Sequence, residues 1–579
     1  MRSSSPSRLA GLPVGMIAVV AIAILLVWFG TLDARHLLRP DEGRYAEISR
    51  EMFLSGDWVT IRYNDLKYFE KPPFHMWVTA LSYTLFGVGD WQARLCVALA
   101  GIAGIAASMF AAARWYGPRV ALLTGLALVA APMWSVAGHF NSLDMTLSGA
   151  LACVLAFMLV AQHPSATAAA RRNWMLACWA AMGVAVLTKG LVGLALPGLV
   201  LVVYTLITRD IGLWRRLHLL PGIIVMLIVT VPWFWLIDAR NPEFAHFFFI
   251  HEHWDRYTST VHERKGSIWY FVPLVVAGFL PWLGLLPRMW TAIRERAGAK
   301  LDTERAPGCK PFQPALLAAV WALAIFAFFS LSSSKLPGYI VPIFPALAIL
   351  AGVALDHINE RSWNRQVNAM LVLAVAGLIA TPYIATLDKA STPNEVYRLF
   401  ALWVGAAFLV LLAGAFAARR LLRSRGLLPS ITAYALALYL CCTVALLGHE
   451  VMGRRASGID LLPAVRAALK PDMPFYGVGM LDHTLPFYLG HTLTMVEHPD
   501  ELEFGVTQAP DRWLPTMAAF IAKWNDGQPA MGIMSPDTYE GLRAQQVPMH
   551  VVARDVRRVV VSNFPVPAAS ALPETKPAS

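Results

Sequence analysis

Charge is scarce in this chain of 579 residues. Asp, Glu, Lys and Arg make up only 15% of it, whereas hydrophobic residues make up 57% and the mean hydropathy is +0.53. Because soluble globular domains carry about 25% charged residues, this composition excludes a chain made only of soluble domains. Most of the apolar surface has to face lipid, so we expect an integral membrane protein.

Cysteine is also rare, and its placement excludes a disulfide framework. None of the six cysteines falls in the segments that we expect outside the cytoplasm, where disulfides would form. All lie in apolar segments or in one predicted cytoplasmic loop: Cys96, Cys153, Cys178, Cys309, Cys441 and Cys442.

Acidic residues are fewer than basic ones. The chain has 37 Asp and Glu and 48 Lys and Arg, so its formal net charge is +11. Such an excess can indicate a nucleic-acid partner. Here, however, the arginines occupy short loops between apolar segments, which is the positive-inside distribution of membrane proteins. We therefore expect no nucleic acid.

Long apolar runs are abundant. A helix needs about 20 apolar residues to cross a bilayer, and about thirteen segments qualify. The predicted spans are residues 12–31, 90–113, 118–137, 142–162, 172–188, 190–207, 219–238, 268–287, 312–330, 339–356, 366–386, 399–418 and 428–449. The apolar stretch 72–88 is shorter and opens with two prolines, so it is interpreted as an interfacial helix.

The arginine-rich loops predict one orientation. With the N-terminus in the cytoplasm every such loop is cytoplasmic, and counting 72–88 as a span would invert all the later ones. The first apolar segment has no small-residue cleavage site and is interpreted as an anchor. An odd number of spans then places the C-terminal region in the periplasm.

The chain changes character after residue 449. Residues 460–470 predict an amphipathic helix, and residues 475–480, 493–496, 531–534 and 557–561 predict short strands. We therefore expect a transmembrane domain at 1–449, with periplasmic loops 32–89 and 239–267. A small periplasmic α/β domain at 450–563 and a disordered Pro/Ala-rich tail at 564–579 follow.

The unusual charges concentrate on the predicted periplasmic side. Asp41 and Glu42 follow the first span, and capping of helix 42–54 is an alternative role for them, since carboxylates favour that end. Lys71 suits a lipid phosphate, although it could also snorkel to the interface. Asp144 lies inside a span, where an unpaired carboxylate is costly, and this favours a functional role.

Metal-ligand side chains cluster in the loop 239–267. His251 and His253 are two residues apart, which suits a strand or loop rather than one helix face. With Glu70 they have the donor atoms for zinc or another divalent metal. An aromatic-rich interfacial loop with solvated histidines explains the same pattern, and both interpretations stay open.

Several motifs together resemble a known family. RPDEGRYAEISREM, YFEKPP, NSLD, LTKG, HEHWDRY, GFLPWLGLLP and SSSKLPGYI follow the order and spacing of the polyprenyl-phosphate-dependent membrane glycosyltransferases. That group is related to the protein O-mannosyltransferases. Within it the chain is similar to the bacterial lipid A 4-amino-4-deoxy-L-arabinose transferases. His251 departs from the pattern, because an apolar residue is expected there.

The resemblance implies an all-α polytopic membrane domain of the GT-C type. It also implies transfer of 4-amino-4-deoxy-L-arabinose from undecaprenyl phosphate to lipid A phosphate groups, at the periplasmic face of the bacterial inner membrane. A monomer is expected, with no cofactor beyond the open zinc site. Added amines would lower the charge of the outer membrane and give resistance to polymyxin and cationic peptides.

Family pattern and substrate charge together predict the site residues. The catalytic candidates are Asp41, Glu42 and Asp144, and the metal candidates are Glu70, His251 and His253. A cationic clamp on the leaving lipid phosphate gives the largest stabilisation of the transition state. The residues predicted to bind the donor are Arg44, Tyr45, Tyr68, Lys71, Arg256, Lys335 and Tyr339.

The role of Asp41 stays open. By the family pattern it is the general base. A lipid A phosphate is already ionised near neutral pH, however, and holding the sugar's ammonium group is an alternative role.

Two other functions fit parts of the pattern. Another polyprenyl-phosphate glycosyltransferase, which attaches a hexose or mannose to protein or glycan, would share Asp41, Glu42 and Lys71. A transporter of lipid-linked sugars would instead place charges near the mid-plane of the membrane. Here the polar residues cluster at one face, which favours an enzyme.

Overall fold

A computed structural model describes residues 8–9, 12–255, 266–295, 311–389 and 392–566 of the chain. Of the predicted site residues, Arg256 lies outside these ranges. His251 and His253 are described for their backbone alone. Most of the predicted tail, from residue 567 onward, also lies outside the described residues.

The membrane region is built from helices that coincide with all the predicted spans. Among the described residues, nine helical segments are long and apolar enough to cross a membrane, and three shorter apolar helices and α8 account for the other spans. The helices are α1 Val14–Gly30, α2 Asp41–Ser55, α3 Phe74–Phe86, α4 Asp90–Tyr116, α5 Pro118–Val129, α6 Pro132–Ala137, α7 Leu143–Ala161, α8 Ala168–Lys189, α9 Val192–Thr208, α10 Gly212–Arg215, α11 Leu219–Arg240, α12 Phe271–Phe279, α13 Leu286–Arg294, α14 Pro314–Leu331, α15 Phe344–Asp356, α16 Glu360–Ile384, α17 Asn394–Arg425 and α18 Leu427–Gly448.

The predicted interfacial segment forms α3, a helix of 13 residues. At 1.5 Å per residue it is about 20 Å long, which is shorter than the roughly 30 Å hydrocarbon core of a bilayer. It packs against α2 and α4, and one face, with His75 and Met76, is buried. Its length and its one-sided burial agree with a position along the membrane surface.

Proline interrupts three of the spans, because it lacks an N–H and clashes with the preceding turn. Pro132 begins α6 after a break behind α5, and Pro281 lies in a 3-10 segment, Leu280–Leu285, between α12 and α13. The third interruption is the 3-10 segment Pro337–Ile343 that leads into α15. It places Gly338 and Tyr339 beside the cavities described below.

The C-terminal region forms the predicted α/β domain. Its six-stranded sheet has the order β7-β6-β5-β8-β10-β9, parallel from β7 to β8 and antiparallel from β8 to β9. The four predicted strands are all present, whereas β7 and β9 were not predicted. The strands are β5 Phe475–Val478, β6 Thr494–Val496, β7 Trp513–Leu514, β8 Met531–Met534, β9 His550–Arg554 and β10 Val559–Ser562. Short pairs β1 Arg8–Leu9 with β2 Leu12–Pro13, and β3 Arg62–Tyr63 with β4 Leu66–Lys67, precede them in the chain.

Short helices complete the C-terminal domain. The helix predicted at 460–470 is present as a 3-10 turn, Ile459–Leu461, followed by α20. Two further 3-10 turns are Asp500–Leu502 and Pro510–Arg512. The helices of this domain are α19 Glu450–Ser457, α20 Leu462–Ala468, α21 Leu485–Leu489, α22 Glu503–Gln508, α23 Met517–Trp524 and α24 Pro536–Ala544.

The C-terminal domain packs directly on α2. A Cβ atom at Gly43 would lie only 2.2 Å from the backbone oxygen of His483, so the two backbones meet where α2 has no side chain. The loop that carries His483 is held by a buried ion pair between its neighbour Asp482 and Arg558. Through Arg558, which also donates to the carbonyl of Ala456 over 2.7 Å, this loop is tied to α19.

Candidate active site

Two adjoining cavities lie at the end of the helical domain that contacts the C-terminal domain. The larger cavity has a volume of about 510 Å³, and its polar lining comes from Glu70, Lys71, Lys189, Tyr339 and the serines 332–334. The smaller cavity, of about 290 Å³, is lined by residues that include Arg39, Asp41 and Asn141. Asp144 and Gly338 line both, so the cavities meet at this pair.

Gly338 allows the close approach between the cavities. A Cβ atom at this position would lie 2.3 Å from Asp144 Oδ2. The absence of a side chain therefore lets the bend before α15 pass directly over the carboxylate. Any other residue here would displace Asp144 or the bend.

Asp144 is paired with Lys189. It lies in the first turn of α7, and Lys189 is the last residue of α8, so the two helix ends bring the charges together. The Lys189 ammonium contacts Asp144 Oδ1 and lies 4.5 Å from the centre of the Tyr339 ring. The sequence prediction omitted Lys189 from the site. The sequence feature that could have indicated Lys189 is the LTKG motif, because it ends on the same predicted periplasmic side as Asp144.

Lys71 contributes a second cation to the larger cavity. Its Nζ lies 2.9 Å from the backbone oxygen of Glu70 and 3.4 Å from Glu70 Oε2. The Tyr68 hydroxyl also donates to Glu70 Oε2, over 3.2 Å. The apolar wall of the cavity includes Phe328 and Leu331, so the cations lie beside a surface that an isoprenoid chain would fit.

Asp41 lines the smaller cavity and is the most accessible of the predicted catalytic carboxylates, with 46% of its side chain exposed. It lies 3.7 Å from Arg44 Nη1, one turn further along α2. Arg44 itself is buried and has Nε 2.7 Å from Glu501 Oε1 of the C-terminal domain. Burial raises the pKa of the Glu501 carboxyl to about 8; Arg44 opposes this, and nearby carboxylates such as Glu70 reinforce it.

Glu42 has a structural role in this geometry, and the catalytic role predicted for it is not supported. Its carboxylate is buried and accepts hydrogen bonds from Arg94 Nε over 2.7 Å, and from the N–H groups of Asn141 and Leu38 over 3.0 Å each. Burial acts to raise its pKa, but Arg94 is the main reason that the pKa is lowered overall. A carboxylate held in this way is a poor base.

Two of the predicted tyrosines are buried next to the site and do not line its cavities. Tyr45 is buried, with its ring centre 5.6 Å from that of His75, and it does not line either cavity. Tyr68 is buried too, and its hydroxyl reaches Glu70 rather than the larger cavity. Both are better described as positioning residues than as donor ligands.

Lys335 was predicted to bind the lipid phosphate, and the structure directs it elsewhere. Its ammonium donates to the backbone oxygens of Phe329 over 2.7 Å and Ser330 over 2.6 Å. These carbonyls belong to the last turn of α14, where the helix leaves acceptors unsatisfied and favours a cation. Lys335 therefore caps α14, while its neighbours Ser332–Ser334 line the larger cavity.

The predicted metal set is only partly described. The backbone of His246–Asp255 is a π-helix, where the sequence favoured a strand or loop. The side chains of His251 and His253 are not described, and Arg256 lies outside the described residues. Within the described part of the chain, no group of three His, Cys, Asp or Glu side chains could hold a metal ion. The zinc site stays a prediction.

Comparison with known proteins identifies the family. Residues 461–563 match the model of the aminoarabinose transferase C-terminal domain, and residues 70–235 match that of dolichyl-phosphate-mannose-protein mannosyltransferase. A relative from Shewanella sediminis is named undecaprenyl phosphate-alpha-4-amino-4-deoxy-L-arabinose arabinosyl transferase. It is 31% identical over 414 residues, which cover 70% of this chain and 71% of the relative. The chain belongs to the aminoarabinose transferase family.

Two further matches cover more of the chain. A Pseudomonas aeruginosa relative with the same name is 31% identical over 471 residues, 79% of this chain and 81% of the relative. The crystal structure of ArnT from Cupriavidus metallidurans bound to undecaprenyl phosphate is 62% identical, with a TM-score of 0.90, and covers 97% of this chain and 100% of that one. The expected GT-C-type membrane fold with a C-terminal α/β domain, and membership of the glycosyltransferases rather than transporters, are confirmed.

Proposed function

We propose that this aminoarabinose transferase moves 4-amino-4-deoxy-L-arabinose from undecaprenyl phosphate to a phosphate group of lipid A. The observation that carries the proposal is the larger cavity, which Lys71, Lys189 and Asp144 line together with an apolar wall. The cavity occurs in a chain 62% identical to a protein crystallised with undecaprenyl phosphate. The reaction would take place at the periplasmic face of the inner membrane, with the N-terminus cytoplasmic, the C-terminal domain periplasmic and the chain a monomer.

The proposed chemistry exchanges one phosphate ester for another. An oxygen of the acceptor phosphate attacks the anomeric carbon and forms the new bond, while the bond from that carbon to the donor phosphate breaks. Undecaprenyl phosphate leaves with the electron pair and gains negative charge. Preorganised cations stabilise such a leaving group most effectively in a site that excludes water. Lys71 and Lys189 are positioned for this role, and Asp144 orients Lys189.

A transfer assay with the purified chain tests this function. Defined undecaprenyl-phosphate sugars and lipid A are supplied in detergent, and the products are read by mass spectrometry. We expect lipid A to gain one or two aminoarabinose increments. Transfer of a hexose to protein or glycan instead would assign the chain to the alternative glycosyltransferase activity, and the absence of any increment on lipid A would contradict the proposal.

The cellular consequence is tested separately. We expect that deletion of the gene removes the aminoarabinose increment from lipid A and raises susceptibility to polymyxin, because unmodified phosphates attract cationic peptides. Complementation with the intact gene provides the control. Unchanged lipid A in the deletion strain would contradict the substrate assignment.

A divalent metal bound by Glu70, His251 and His253 stays a separate proposal. Dialysis against a chelator, metal analysis of the purified protein and readdition of Zn²⁺ test it. Bound zinc that is lost in a Glu70→Gln variant would support the site. Full activity in metal-free protein would exclude a catalytic role for the metal.

A further inference from the structure

The end of the helical domain that lies opposite the cavities carries a dense group of arginines. Helix α15 runs away from the bend at Gly338, so α16 begins at this far end. Helix α18 runs back to the C-terminal domain, so α17 ends and α18 begins at the far end too. An arginine patch is formed by the first two turns of α16 and the last two turns of α17: Arg361, Arg365, Arg419, Arg420, Arg423 and Arg425.

Buried hydrogen bonds hold these helix ends side by side. The Trp363 indole N–H donates to the Ser430 hydroxyl over 2.8 Å, and that hydroxyl donates to the carbonyl of Ala418 over 2.7 Å. The two bonds join α16, α18 and α17 directly before Arg419. Arg288 of α13 adds a further positive charge, because its Nη2 reaches the first turn of α16 over 3.2 Å. The arginine patch is therefore fixed by the packing of several helices.

The arginine patch forms no ion pair in the part of the chain that the structure describes. Five of its residues are exposed, and Arg419 is half-buried. Asp356, the last residue of α15, is already paired with Arg119 over 3.0 Å. Glu360 is the acidic residue in the first turn of α16 and faces six arginines. The excess of positive charge is not neutralised within the protein, which favours an anionic partner.

The position of the arginine patch along α17 favours a lipid as that partner. Residues 399–418 of this helix are uncharged and apolar, and at 1.5 Å per residue they are about 30 Å long. That length matches the hydrocarbon core of a bilayer. Arg419, Arg420 and Arg423 follow within about one and a half turns, at the depth of the lipid phosphates. On α16, Arg361 and Arg365 directly precede the apolar part of the helix.

The surface between the arginine patch and the middle of the membrane is apolar. Phe416 of α17 and Val372 of α16 are more than half exposed, and so is Leu409 near the mid-point of α17. A phospholipid would match both surfaces, because its chains would lie on these side chains while its phosphate accepts charge-assisted hydrogen bonds from the arginines. An acidic soluble protein would cover the arginines alone.

We propose that the arginine patch binds the phosphate groups of anionic phospholipids, whose acyl chains lie along α16 and α17. Groups of four to eight basic residues beside the end of a transmembrane helix attract anionic lipids electrostatically. The site lies at the opposite end of the domain from the cavities and does not depend on which sugar is transferred. In the orientation proposed above, its lipids belong to the cytoplasmic leaflet. Bound lipid would stabilise the hairpin of α17 and α18, which continues into α19 of the C-terminal domain.

Lipid titrations followed by native mass spectrometry test this site in the full-length protein. Phosphatidylglycerol is the anionic probe, and phosphatidylcholine is the neutral one. The variants are Arg361→Gln/Arg365→Gln and Arg419→Gln/Arg423→Gln, each of which removes two charges. We expect each variant to lose about 20-fold or more in affinity for phosphatidylglycerol, since one arginine near a membrane surface contributes about fivefold. Arg419→Lys/Arg423→Lys keeps the charge and should keep most of the affinity.

The matched control is Arg172→Gln/Arg215→Gln, which removes two exposed arginines of α8 and α10 at the same end of the domain. This variant should keep the affinity of the wild type for phosphatidylglycerol. The wild type should bind phosphatidylglycerol more tightly than phosphatidylcholine. This preference should shrink as ammonium acetate is raised from about 0.05 M to about 0.5 M, because salt screens exposed charges.

Three outcomes would overturn the proposal. The first is equal affinity of the wild type for the two lipids, and the second is an equal loss of affinity in the control variant. The third is unchanged affinity for phosphatidylglycerol in both patch variants, which would favour an acidic protein as the partner. Thermal unfolding in detergent without phospholipid shows whether each variant is folded, and either of the two patch variants alone decides the test.

Discussion

At the scale of single residues, the pair of Lys189 and Asp144 decides how charge is arranged in the larger cavity. Replacing Lys189 by Met removes a cation from the leaving phosphate and leaves a carboxylate unpaired in its place. We expect kcat to fall by about 10²–10³-fold, the usual effect of losing one transition-state contact. Lys189→Arg should keep part of the activity, and Lys470→Met, at an exposed lysine of the C-terminal domain, should keep all of it. A Lys189→Met enzyme with normal kcat would contradict the assignment.

The two possible roles of Asp41 can be separated with one variant and two donors. Asp41→Asn should lose most of its transfer rate with the aminoarabinose donor in either case. If Asp41 holds the ammonium group, a donor whose amine is replaced by a hydroxyl should be used equally by wild type and variant, because no cation remains to be paired. If Asp41 is the general base, the variant should be impaired with both donors. A variant that retains its rate with the aminoarabinose donor would exclude both roles.

How far the sequence predicted the site can be judged from individual residues. Asp41, Lys71, Asp144 and Tyr339 do line the two adjoining cavities, because motif order and membrane orientation place them at one end. Glu42 lines the smaller cavity as well, but Arg94 and two backbone N–H groups already bind its carboxylate. Tyr45, Tyr68 and Lys335 were also given direct roles, whereas all three are buried and line neither cavity. A single sequence does not show which charge is neutralised by a residue dozens of positions away, as Glu42 is by Arg94.

At the scale of elements, α2 joins the cavities to the C-terminal domain, and Gly43 tests that junction. Gly43→Ala would place a methyl group 2.2 Å from the backbone oxygen of His483, where no flexible side chain can yield. We expect a loss of stability of about 1–3 kcal/mol from overpacking, because the His483 backbone would have to move away from α2.

The control for this variant is Gly541→Ala, since Gly541 lies inside α24 with nothing near its missing Cβ atom. That change should be neutral or stabilise the helix by about 0.5–1 kcal/mol. Thermal unfolding of both variants in detergent provides the measurement. Equal behaviour of the two variants would show that the contact between α2 and the His483 loop does not matter.

The transmembrane spans were predictable from the sequence, whereas the bend before α15 and strands β7 and β9 were not. The spans were predictable because a run of about 20 apolar residues has few alternatives to a transmembrane helix. The bend that places Gly338 and Tyr339 was not predicted, because Pro337 precedes the predicted span 339–356 and a proline is also tolerated in the first turn of a helix. Strand β7 has only two residues, and the exposed ends of the edge strand β9 break the apolar pattern.

At the scale of the whole molecule, the helical and C-terminal domains share one buried electrostatic contact close to the cavities. Arg44 of α2 meets Glu501, whose side chain is only 14% exposed and whose pKa is raised by burial to about 8. The free energy of joining the domains should therefore depend on pH. Arg44 also lies 3.7 Å from Asp41, so a change in the charge of Glu501 would alter the charges beside the smaller cavity.

The sign of the effect follows from proton binding. Between the ordinary carboxyl pKa of 4.5 and about 8, folded Glu501 holds a proton that the unfolded chain has released. Stability therefore falls as pH rises through this window, and levels off above about pH 8. Glu501→Gln keeps the neutral shape and should flatten this part of the profile, whereas Glu503→Gln, at an exposed neighbour, should not. Unfolding temperatures of the three proteins at about pH 6 and about pH 9 provide the measurement, and an identical fall in wild type and Glu501→Gln would show that the carboxyl of Glu501 does not carry the pH dependence.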